Sequence, residues 1–88
     1  MVDVVWSPSA LRAMAMMLQV GNLQMRREIT AAVQEISSQL AHDPEHAGES
    51  RSGNTRILHV GPLGVYFRYV VRTKTAFVTH VWPIRWYW

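Results

Sequence analysis

The spacing of the apolar residues changes once along these 88 residues, and this change limits the architecture more than any motif does. Up to Leu40 they recur every three or four positions, and from Thr55 onward they alternate. Helical periodicity followed by strand periodicity predicts an α+β fold. The chain suffices for one domain, 1–88, with a single modest core.

The elements can be placed from local signals. Residues 2–6 form a β-branched and aromatic run that reads as a strand. Ser7-Pro8 then supplies a helix cap and a first-turn proline, with Leu11, Met14, Ala15 and Leu18 on one face. After the stop at Gly21-Asn22, the spacing of Met25, Ile29, Val33, Ile36 and Leu40 predicts a second helix over 23–41, ended by Asp43-Pro44. The two helices should pack as a hairpin. Residues 42–54 read as a polar loop, and 55–60, 63–72 and 75–82 as three strands of an antiparallel meander, turning at Gly61-Pro62 and Thr73-Lys74.

Charge follows the same division. All six carboxylates lie within the first 49 residues, whereas Arg51, Arg56, Arg68, Arg72, Lys74 and Arg85 follow with eight of the nine aromatic residues. Cations and aromatic rings on one carboxylate-free stretch suit a polyanion with stacking surfaces, which points to nucleic acid. On the strand over 63–72, alternation sends Val65, Phe67, Tyr69 and Val71 toward the helices and Tyr66, Arg68, Val70 and Arg72 to the open face.

Other classes find little support. With no cysteine there is no disulfide framework or thiolate zinc site. No stretch reaches the roughly 18 to 20 apolar residues of a membrane span, and the start lacks a signal-peptide pattern, so an intracellular, cytoplasmic protein is expected. No P-loop or Rossmann glycine pattern is present, and no cofactor is expected. His42 and His46 have helical metal-pair spacing, but Pro44 between them breaks the helix that would align them, so no metal site is expected. The tail from Trp82 to Trp88 holds three tryptophans in seven residues, an apolar patch that must pack on the sheet, form a homodimer or receive a partner.

With this order of elements, the chain resembles the RelE/ParE toxin superfamily of bacterial type II toxin–antitoxin modules, sometimes labelled plasmid-stabilisation proteins. The matching pieces are VVWSPSALRAM, AVQEISSQLAHDP, GESRSGNTRILHV, PLGVYFRYV and FVTHVWPIR, which together cover almost the whole chain. The resemblance implies a twisted antiparallel sheet with a helical hairpin on one face, a toxin function and a cognate antitoxin as partner. RelE-like members cleave messenger RNA at the ribosome, and ParE-like members poison DNA gyrase.

For the endoribonuclease activity, the resemblance assigns catalytic roles to Arg68, His80, Arg85 and Tyr87 and a basic position to Arg56, while the charge and alternation of the basic stretch add Arg72 and Lys74 to Arg56 and Arg68 as residues expected to bind nucleic acid. Metal-independent cleavage needs a base for the 2′-OH, cations for the developing phosphorane charge and an acid for the leaving oxygen. Histidine can serve as either base or acid near neutral pH. His80 shares a face with Arg68 only if the intervening connection departs by one residue from a two-residue turn. RelE-like nucleases also carry an arginine early in the strand, where this chain has Gly64, so Arg68 must reach the phosphate from elsewhere. That departure favours the alternative of a non-catalytic gyrase inhibitor, and a non-toxic binding relative is the third reading.

Overall fold

A computed structural model describes residues 1–84. The elements run β1 (Asp3–Trp6), α1 (Pro8–Val20), α2 (Leu23–His42), β2 (Glu49–Ser50), β3 (Thr55–Val60), β4 (Leu63–Val70) and β5 (Thr75–Pro83). No helix among the described residues is long and apolar enough to cross a membrane.

Both helices start where side chains satisfy their free N–H groups. The Ser7 hydroxyl accepts from the Ala10 N–H at 3.1 Å, and the Asn22 side chain accepts from the Met25 N–H at 2.9 Å. Helix α2 buries Met25, Ile29, Ala32, Ile36 and Leu40, a repeat of three and four that keeps one stripe on the sheet. Helix α1 is rotated from the expected face. It buries Ala10 and Met17, with Ala13, Met14 and Leu18 packed beside them, while Leu11 is 47% exposed and Ala15 also faces outward.

The sheet has five strands in the order β1-β5-β4-β3-β2. Strand β1 pairs in parallel with β5, and every other pairing is antiparallel, so the sheet is mixed. The helical hairpin forms the crossover from β1 to the meander, which frees β1 to return beside the last strand. Strand β2 lies inside the segment expected to be only loop, and two residues are too few for an alternation to reveal. Leu63, Val65 and Phe67 of central β4 are fully buried against the helices, with Leu58 on β3 and Ala76, Val78 and Val81 on β5.

Strand β4 ends earlier than its alternating pattern suggests. Val71–Thr73 form a 3-10 turn closed by Lys74 at φ 51°, whose N–H reaches the Val71 carbonyl at 3.2 Å. Arg72 therefore sits in the turn instead of on the open face of the strand. The other strand connection, from α2 to β3, is pinned by Arg56. Its Nε donates to the Ala47 carbonyl at 2.9 Å and its Nη2 to the Gly48 carbonyl at 3.1 Å.

Candidate nucleic-acid interface

The face of the sheet away from the helices is organised in rows across β3, β4 and β5. Register aligns Thr55, Arg68 and Phe77 in one row, Ile57, Tyr66 and His80 in the next, and His59, Gly64 and Trp82 in the third. Alternation places all nine on the open side, because Phe67, Val65 and Val78 face the core.

His80 reaches this face through a β-bulge. Tyr66 pairs with His80 and Phe67 with Val78, so Thr79 is the extra residue on β5. A strand inserting one residue reverses its alternation beyond that point, which turns His80 to the side of Arg68 and Phe77. The bulge is tied down from several directions. The Ser7 N–H donates to the Val78 carbonyl at 2.9 Å, and the Ser7 and Ser9 hydroxyls reach the Thr79 carbonyl at 3.1 and 3.4 Å.

The same bulge orients the imidazole. The Thr79 hydroxyl donates its single hydrogen to the Tyr66 carbonyl at 3.3 Å, while its oxygen lies 3.1 Å from His80 Nδ1. A hydroxyl that has spent its hydrogen can only accept at its other contact, which assigns the neutral imidazole its proton to Nδ1. Nε2 then carries the lone pair, as a proton acceptor requires.

Aromatic contacts join the two rows at the Gly61-Pro62 end. The Tyr66 and Trp82 centroids are 4.7 Å apart with planes tilted by 54°. Tyr66 meets His80 edge-on at 5.8 Å, and His59 meets Trp82 edge-on at 6.3 Å. The indole lies over Gly64, where a Cβ would stand 2.7 Å from Cε2. Glycine leaves sheet backbone bare, and an aromatic side chain from the neighbouring strand covers it.

Arg68 is exposed, and among the described residues the one ion pair joins His46 to Asp43. Strands β3, β4 and β5 carry no carboxylate, and Asp3 and Glu49 lie on the outer strands β1 and β2. The open face therefore combines an exposed guanidinium, an oriented imidazole and aromatic rings in tilted and edge-on contact. Among the described residues no three potential metal ligands gather.

Of the residues singled out in the sequence, Arg68 and His80 are thus brought together with Tyr66. Arg56 is not, since its register with Phe67 puts it on the helix side and its guanidinium is spent on loop carbonyls. Arg72 and Lys74 lie in the exposed turn between β4 and β5. Arg85 and Tyr87 lie outside the described residues. His59 and Trp82 join the face although neither stood out as a site residue. Their partners are across strands, where only register could have revealed them.

Comparison with solved structures places this architecture. The chain is similar to a chain of the toxin–antitoxin complex RelBE2 from Mycobacterium tuberculosis, with 18% identity, a TM-score of 0.74, and 93% of this chain and 90% of that one covered. It is also similar to the chromosomal ParDE system of P. aeruginosa, with 15% identity, a TM-score of 0.78 and coverage of 97% and 98%. The intact E. coli RelBE toxin–antitoxin complex matches at 10% identity and a TM-score of 0.68, with coverage of 98% and 100%. No protein-family model matches the sequence, and no curated protein matches it. The protein has the RelE/ParE toxin fold.

Proposed function

We propose that this protein is the toxin of a type II toxin–antitoxin module and cleaves messenger RNA without a metal, acting in the cytoplasm on transcripts under translation. The observation that carries the reading is the Thr79 bulge, which turns His80 onto the face of Arg68 and Tyr66. In the proposed reaction, His80 Nε2 takes the proton of a 2′-OH, whose oxygen attacks the adjacent phosphorus. Arg68 neutralises the phosphorane charge as the P–O5′ bond breaks. Tyr87 returns a proton to the leaving oxygen, and Arg85 contributes a second cation. The solved complexes with the same fold support a cognate antitoxin as partner.

Gly64 favours a second reading. The indole of Trp82 occupies the space a side chain at 64 would need, so the arginine that RelE-like nucleases carry there has no counterpart. A toxin lacking it fits the ParE-like inhibition of DNA gyrase. The two readings separate on purified protein. Endonuclease action leaves RNA cut and supercoiling untouched, and gyrase inhibition does the reverse.

A further inference from the structure

We propose that Trp82 and Tyr66 form a stacking platform for one unpaired base of an RNA strand whose next phosphate lies toward Arg68. This deepens the RNA reading of the open face and rests on it.

The platform is built from the backbone up. Gly64 lets the indole settle on β4, since a Cβ there would meet Cε2 at 2.7 Å and Nε1 at 2.8 Å. Tyr66 closes one side at a tilt of 54°, and His59 borders the indole edge-on. Trp82 and Tyr66 are both only partly buried, so ring surface stays open to solvent. Covering a bare glycine accounts for one aromatic residue at this point. It does not account for a tyrosine and a histidine flanking the same indole on the open face.

Charge and spacing favour a nucleic-acid strand as occupant. Arg68 lies one row beyond Tyr66, about 6.6 Å along the strand at the usual rise per residue. No carboxylate lies on the three strands that build the face, which suits a phosphate backbone. A duplex hides its base faces within the stack, so a ring platform selects an unpaired strand.

The test uses the full-length protein and two labelled probes, with binding read by fluorescence anisotropy. One is a 2′-O-methyl adenine hexamer, which lacks the attacking hydroxyl, and the other is a fully abasic backbone of equal length and charge. The wild type should bind the hexamer about tenfold or more tighter than the abasic strand. Trp82→Ala should remove most of that difference and leave abasic binding unchanged, whereas Arg68→Ala should weaken both probes. Equal wild-type affinity for the two probes would overturn the platform and requires no variant to fold. So would undiminished hexamer binding by a folded Trp82→Ala protein, or equally tight binding to the corresponding duplex.

Cleavage of unmodified RNA is scored separately, because the two ideas can fail independently. Uncut RNA with a Trp82-dependent preference for bases leaves the platform standing and removes the nuclease. Cut RNA without that preference does the opposite.

Discussion

Trp82 lies flush over Gly64, so close that a single methyl at residue 64 would stand 2.7 Å from the indole Cε2. Gly64→Ala must displace the ring, an overpacking cost of about 1 to 3 kcal/mol. In a domain of this size each lost kcal/mol lowers the melting temperature by roughly 4 to 8 °C. Gly64→Arg, although it restores the residue type of RelE-like nucleases, should destabilise at least as much. Circular dichroism melts check both, and unchanged melting would show that the indole is not held there.

Ser7 links the start of α1 to the bulge that orients His80. Ser7→Ala removes the cap on the Ala10 N–H and the contact to the Thr79 carbonyl, at an expected cost of about 1 kcal/mol. Ser7→Asp keeps the capping acceptor but, when ionised, has no hydrogen for the Thr79 carbonyl. Ser7→Asp should therefore recover only part of the stability lost in Ser7→Ala, while RNA cleavage falls. Equal cleavage by the wild type and Ser7→Asp would show that the bulge does not depend on this hydroxyl.

Arg56 and Arg68 should behave as different kinds of arginine. Arg56→Ala frees the Ala47 and Gly48 carbonyls and should cost about 1 to 2 kcal/mol in urea unfolding. Arg68→Ala should leave the unfolding midpoint nearly unchanged and weaken nucleic-acid binding. Gly48→Ala should be worse than Arg56→Ala. Its φ is 65° and its Cβ would stand 2.0 Å from the Ile57 carbonyl oxygen, which belongs to backbone that cannot swing aside.

What could be read in the sequence follows from which signals are local. Ser7-Pro8, Asn22 and the three- and four-residue spacing of α2 announce both helices, and alternation announces β3 to β5. The parallel return of β1 to β5 depends on a crossover, and Glu49–Ser50 is too short to alternate. In β3, Ile57 and Leu58 are adjacent and both buried, so alternation there gave no face for Arg56. His80 depended on a single inserted residue, and one insertion reverses a whole strand end. The strand expected over 75–82 already includes Trp82, but its contact with Gly64 on β4 depends on register.

If the face bearing Arg68 and His80 cuts RNA, brief induced expression should leave its mark on transcript 5′ ends. The wild type should arrest growth and create new 5′ ends within coding regions. His80→Ala and Arg68→Ala, confirmed as folded, should each reduce those ends by about a hundredfold. Growth arrest with intact transcripts, or cleavage undiminished in both variants, would show that this face does not cut RNA.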